Sequence, residues 1–245
     1  MDQVLTTTAD GVMHIALNRP TKRNAITIAM YGEITRLLRA AEADDAIGCV
    51  VISGDDGLFT AGNDLLDFLQ APPSTEGGGV IDFLKTVGQF PKPLGAAVGG
   101  LAVGIGVTLL FHCDFVVAAD SARFSAPFVD LGLIPEAGAT YLAPRQIGHK
   151  AASRLFLLGE TLDARQALEI GLISHVVETA PVAAALAIGS AIAARPRQAV
   201  METRRLLRQP AETPMLRRMD EEATIFAELV RSDYCTRLFR QFLTN

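Results

Sequence analysis

The chain's 245 residues suffice for one α/β domain, or one core domain with a small helical appendage, and argue against two large independent domains. Hydrophobic residues make up 49 % and charged residues 20 %, with a mean hydropathy of +0.29, which excludes a disordered or fibrous chain and implies extensive burial, subunit interfaces included. A formal net charge of −5 and an isoelectric point near 5.4 provide no global basic field, so neither nucleic acid nor a membrane surface is an expected partner.

The first residues, Met1-Asp2-Gln3-Val4, lack the basic and apolar regions of a secretory signal and are not Arg-rich like a transit peptide. The final Leu243-Thr244-Asn245 is no peroxisomal address. Cys49, Cys113 and Cys235 form no CxxC pair, so a reducing, cytoplasmic setting is expected.

Val12 to Leu17 alternates as a half-buried strand and ends at Asn18-Arg19-Pro20, where the polar Thr21-Lys22-Arg23-Asn24 forces a loop. Met30, Ile34, Leu37, Leu38 and Ala41 recur at helical spacing until Asp44-Asp45. Cys49 to Ile52 is a continuous apolar run, as in strands covered on both faces. Ala71 to Gly79 is the most loop-like stretch, followed by a helix from about Val80 to Phe90. Leu94 to Phe111 carries no charge, but its five glycines favour a strand (Leu94 to Val98), a turn and a helix (Gly104 to Phe111) over a membrane span. Phe115 to Ala119 is again extended. Apolar strands alternating with helices predict a mainly parallel, buried sheet. Beyond about Lys150 strand signals fade, and Ala151 to Leu158, Ala164 to Ile170, Val182 to Ala194, Gln198 to Leu207 and Leu216 to Leu229 read as helices.

His14, His112, His149 and His175 are scattered, with no HExxH pair or carboxylate cluster at ligand spacing, so no metal site is expected. No GxSxG elbow or Walker loop is present. The glycine-rich turn Gly99 to Gly106 follows a strand and opens a helix, the context in which backbone N–H groups meet an anion. Leu109 stands where a dinucleotide fingerprint needs its third glycine. Close strand-to-helix packing and a site for a developing oxyanion are the two remaining readings. The turn Phe59 to Leu65 also follows a strand, and its small residues let a ligand approach the main chain.

These stretches together resemble the enoyl-CoA hydratase/isomerase (crotonase) family: Leu17-Asn18-Arg19-Pro20 with Arg23-Asn24-Ala25, then Phe59 to Leu65, Lys92-Pro93 through Gly106, and Gly171-Leu172-Ile173 with Val176-Val177. The resemblance covers nearly the whole chain. Thr60-Ala61-Gly62-Asn63-Asp64-Leu65 and the later Pro127-Phe128 through Pro135-Glu136 are most similar to isomerases that convert 3-enoyl-CoA to 2-enoyl-CoA.

The resemblance implies a spiral of ββα units over residues 1–195, a C-terminal helical region over 196–245, and trimers or hexamers. It implies an acyl-CoA substrate, coenzyme A entering as part of the thioester, with no separate cofactor. By position, the amides of Asn63 and Ile105 are implied as donors to the thioester oxygen, and Glu136 as the catalytic base. Ala61, Gly62, Asp64, Leu65, Gly104, Thr108 and Phe128 are implied around the acyl thioester, and Arg23, Asn24 and Ala25 near the adenosine end, with Lys22 in reach of a phosphate. The hydratases have their two glutamates where this chain has Thr108 and Phe128, which cannot hold and activate a water. Burial would raise the Glu136 carboxyl toward neutrality, as a carbon base requires. Asp64 also reads as a turn-capping residue, and Asp130 as facing either the pocket or an interface. A hydratase or other family reaction, a non-catalytic acyl-CoA binder and an RNA-binding member remain the alternatives.

Overall fold

The strand from Cys49 to Ser53, buried at every position, lies in the middle of a six-stranded sheet. The computed structural model describes residues 2–55, 57–70 and 79–244. In chain order its elements are β1 (Val4–Ala9), β2 (Val12–Leu17), α1 (Ile28–Ala43), β3 (Cys49–Ser53), β4 (Leu58–Thr60), α2 (Leu65–Gln70), α3 (Gly79–Gln89), β5 (Leu94–Val98), β6 (Leu101–Val103) and α4 (Ile105–Thr108). There follow β7 (Phe115–Ala119), β8 (Arg123–Ser125), α5 (Ala139–Gln146), α6 (His149–Leu157), β9 (Leu162–Asp163), α7 (Ala164–Glu169), β10 (His175–Val177), α8 (Pro181–Ala193), α9 (Arg197–Val230) and α10 (Asp233–Thr244).

The main sheet runs β1-β2-β3-β5-β7-β10, parallel except for the β1–β2 hairpin. A smaller sheet runs β4-β6-β8-β9. Each central strand of the main sheet is followed by a strand of the smaller one, β3 by β4, β5 by β6 and β7 by β8, so the chain climbs as repeated ββα turns. Alternation of side chains along the strands divides the interior. Val50 and Ile52 join the main core, whereas Cys49 and Val51 pack with Val12, Ala97, Phe115 and Val117 under α8. Each fully buried aliphatic or Phe side chain contributes about 1.5–3 kcal/mol.

Thr27 caps α1, its hydroxyl accepting the Met30 amide at 3.2 Å. The buried Lys92 ammonium donates to Ala41 O at 2.5 Å and Asp44 O at 2.7 Å, satisfying carbonyls at the end of that helix. Arg204 of α9 donates to Asp114 Oδ2 at 2.7 Å and Phe90 O at 2.6 Å, fastening the C-terminal helices to the loops beside β5.

The structure differs from expectation in four places. The helix expected over Gly104 to Phe111 is four residues of α4 followed by a 3-10 turn, Leu109–His112, because a buried segment of glycine and β-branched residues has little helical propensity of its own. The two patterns Gln198 to Leu207 and Leu216 to Leu229 belong to one helix, α9; burial of Met215, Met219, Phe226 and Val230 keeps it together beyond the polar stretch. Strands β9 and β10 occur beyond Lys150, each too short to leave a pattern in sequence. Of the loop expected from Ala71 to Gly79, residues 71–78 lie outside the described residues, and Gly79 opens α3. Leu94 to Phe111 is folded into the core, and among the described residues no helix is long and apolar enough to cross a membrane.

Candidate active site

Two turns that follow parallel strands meet at a cavity of about 510 Å³. Ala61, Gly62, Asn63, Asp64 and Leu65, after β4, form one wall, while Val103 and Gly104, after β6, form another. Phe128, Asp130, Leu131 and Leu133 close a third side, and Leu238, Gln241, Phe242 and Leu243 of α10 cover the mouth. Gly62 holds a φ of +93°, and a Cβ there would sit 2.9 Å from Val103 O, so no larger residue lets these two turns approach. The parallel bridge between Ile26 and Asn63 uses the carbonyl of Gly62 and the amide of Asp64. It therefore leaves the Asn63 amide out of the ladder. Ile105 is the first residue of α4, where an amide has no intrahelical acceptor.

Asn63 and Phe68 also line a second, small cavity of about 20 Å³, whose wall includes Glu136 together with Val80, Leu84, Met219 and Phe226. Glu136 is fully buried. Its Oε1 accepts from the Thr108 hydroxyl at 2.6 Å, while Oε2 has no partner among the described residues. Burial pushes its carboxyl up to about 8; the Thr108 hydrogen bond opposes this and the charge of Glu222 adds to it.

The chain bearing Glu136 is held from two directions. Ala137 and Gly138 have φ of +63° and +67°, a conformation that costs a non-glycine residue about 1–2 kcal/mol. Ala137 O accepts from His112 Nε2 at 2.7 Å, and burial lowers His112 to about 4, so this neutral ring carries its proton on Nε2. On the other side the Gly138 amide donates to Glu222 Oε2 at 2.6 Å.

The implied site residues do not all share one environment. Ala25, Ala61, Gly62, Asn63, Asp64, Leu65, Gly104 and Phe128 line the large cavity. Ile105 is buried in the core directly after Gly104 and is not among the residues lining the large cavity. Thr108 lines neither of these two cavities among the described residues and instead donates to Glu136. Asn24 is buried with its side chain spent on Arg19 N and Phe59 O, at 2.7 and 3.0 Å, so it braces the turn instead of facing a ligand. Arg23 is exposed in a left-handed conformation, and Lys22 takes its place on the cavity wall. Asp64 accepts from Leu66 N and Asp67 N and pairs with Arg19 at 2.6 Å. Burial raises its carboxyl, but these partners together prevail and hold it below the ordinary value. Asp130 stands at the cavity rim. Among the described residues no group of three His, Cys, Asp or Glu lies together as a metal site.

Four contributors had not been singled out from sequence. Tyr31, fully buried on α1, donates to Asn63 Oδ1. Glu222 interrupts the otherwise apolar inward stripe Met215, Met219, Phe226 and Val230 of α9, and that interruption is its signal in the sequence. Leu238 and Gln241 of α10 are brought to the cavity only by tertiary packing.

A pH dependence of stability follows from Glu136. Its folded value of about 8 lies above the ordinary 4.5, so the stability it contributes is complete below the ordinary value and is lost as pH rises through about 8. The melting temperature of Glu136→Gln relative to the parent should therefore rise by several degrees between pH 5 and pH 9; a constant difference would contradict a desolvated carboxyl.

A family model described as enoyl-CoA hydratase/isomerase matches residues 7–243. Enoyl-CoA delta isomerase 2 of Rattus norvegicus is 41 % identical over 179 residues, covering 71 % of this chain and 46 % of the relative, so the chain spans about half the length of that protein. The 2,3-dehydroadipyl-CoA hydratase of Escherichia coli is 33 % identical over 235 residues, covering 95 % of this chain and 92 % of the relative. The solved structure of Pseudomonas aeruginosa OdaA superposes with a TM-score of 0.97 at 37 % identity over the whole of both chains.

Proposed function

Because the chain belongs to the enoyl-CoA hydratase/isomerase family, with the crotonase fold, we propose that it isomerises 3-enoyl-CoA esters to trans-2-enoyl-CoA. The observation that carries this reading is that Glu136, with the Thr108 hydroxyl bonded to it, is the one carboxylate on the wall of the small cavity beside Asn63 among the described residues. The relatives named as isomerases support it.

In the proposed step the thioester lies in the large cavity with its oxygen between the Asn63 and Ile105 amides. Ionised Glu136 removes a proton from the carbon alpha to the thioester, and the electron pair moves to that oxygen as an enolate. Two preorganised N–H donors in a water-poor site stabilise this charge. Thr108 donates to Oε1, so the transferred proton is carried on Oε2. Return of that proton to the gamma carbon leaves the double bond conjugated with the carbonyl. The proton moves between carbons without net oxidation and the two amides meet the enolate charge, so the proposed step calls for no metal or redox cofactor, and coenzyme A arrives as part of the substrate. An assembly of three or six chains in the cytoplasm belongs to the same proposal, with the exposed Leu157 and Leu158 as surface for chain-to-chain contact.

A hydratase reading is favoured by the Escherichia coli relative, which aligns over most of both chains. Incubation with matched 3-enoyl-CoA and 2-enoyl-CoA esters and identification of products separates the two. A carboxylate pair that activates water is worth about 10²–10⁴-fold, so isomerisation should exceed hydration by at least about 10²-fold in kcat/KM. Hydration equal to or faster than isomerisation would overturn the proposal, and acyl-CoA binding without turnover would identify a non-catalytic binder.

A further inference from the structure

Gly138 begins α5 but offers no side chain to cap it. It cannot be replaced by a capping residue, because its φ is +67° and a Cβ would lie 2.9 Å from Met215 Cγ. The cap comes instead from α9. Glu222 Oε2 accepts the Gly138 amide at 2.6 Å, and Oε1 accepts the Thr140 amide at 3.0 Å and the Thr140 hydroxyl at 2.6 Å. Glu222 is only 2 % exposed, and burying a carboxylate in an apolar stripe is costly unless its oxygens are satisfied. A cap alone needs no second acid this close to Glu136.

We propose that Glu222 is a positioning residue: by gripping the Gly138 and Thr140 amides it fixes the left-handed turn that aims the Glu136 carboxylate, and it adds a second buried negative charge beside that base. This rests on Glu136 being the base. The neighbouring groups are consistent with it. Glu222 acts on Glu136 electrostatically, and burial lifts Glu222 itself to about 7. Arg218 of α9 donates to Thr140 Oγ1 at 3.2 Å and opposes that rise. Tyr31 of α1 feels the charge of Glu136, and His112, with Arg208 facing it, is neutral.

The test is Glu222→Gln in the full chain, which keeps the size but leaves one acceptor oxygen for two amides. Misplacement of a reacting group by an ångström costs up to about 10²-fold, so kcat should fall about tenfold, with KM within about threefold of the parent. Loss of the charge should move the rising limb of the kcat–pH profile to lower pH. Glu222→Asp, which keeps the charge but withdraws it, should lower kcat and leave the limb in place. A purely structural cap would lower the melting temperature with kcat and limb unchanged, and that result overturns the proposal. If Glu222→Gln does not fold, Thr140→Val decides: kcat about threefold lower at unchanged KM supports the proposal, and parental kcat overturns it. If the parent does not isomerise, the functional reading fails, and the Glu222 proposal is judged without turnover by 13C-carboxyl NMR titration of Glu136. A lower midpoint in the Glu222→Gln protein, or a changed Glu136 carboxyl shift in the Thr140→Val protein, supports it, and an unchanged spectrum overturns it.

Discussion

Glu136→Gln is expected to slow turnover of 3-enoyl-CoA esters by about 10²- to 10⁴-fold, the range for removal of a positioned acid–base group. The amide occupies the same volume and can still accept from Thr108 Oγ1, so the 2.6 Å contact and the turn at Ala137 are expected to survive. KM should therefore change little, because the cavity residues around the thioester are untouched. Steady-state kinetics with a melting curve check this. Parental turnover in a folded Glu136→Gln protein would remove Glu136 from the mechanism, since no other carboxylate lines the small cavity among the described residues.

The second large effect concerns a main-chain donor. Ile105 occupies the first position of α4, where proline's fixed φ is tolerated and its missing N–H costs the helix no internal bond. Ile105→Pro deletes the amide but also restrains Gly104 and disturbs the helix start, so turnover is read together with a melting curve. Loss of one such donor is worth about 2.7–4 kcal/mol, or about 10²- to 10³-fold in turnover. Ile105 is also fully buried, so Ile105→Val is the control for packing; it keeps the amide and should cost about 0.5–1.5 kcal/mol of stability with near-parental turnover. Equal turnover in the two variants would exclude the Ile105 amide from the site.

The parts of this site that were legible in sequence are those built from local chemistry. Apolar runs such as Cys49 to Ile52 and Leu94 to Val98 announce buried parallel strands, because both faces must be covered. The turns after β4 and β6 announce themselves through glycine, since Gly62 and Gly104 take backbone conformations other residues resist. Glu136 stood out by position, although its burial comes from Met219 and Phe226, more than eighty residues later in the chain. What was not legible depends on such distant packing. Asn24 was implied near the adenosine end by the resemblance of its segment, whereas tertiary structure engages its side chain with Arg19 N and Phe59 O. Tyr31 reads as one more core residue of an amphipathic helix until its hydroxyl is found on Asn63. The periodicity of α10 announces a buried face, with Cys235 and Phe239 on it, but not that the helix lies over the cavity.

The central claim is that two main-chain amides and one buried carboxylate converge on a single thioester. The most direct measurement is the crystal structure of the protein with an unreactive acyl-CoA. The thioester oxygen should lie about 2.7–3.2 Å from both the Asn63 and Ile105 nitrogens, with Glu136 Oε2 facing the alpha and gamma carbons. A thioester seated on another surface, or Glu136 turned away from those carbons, would contradict it.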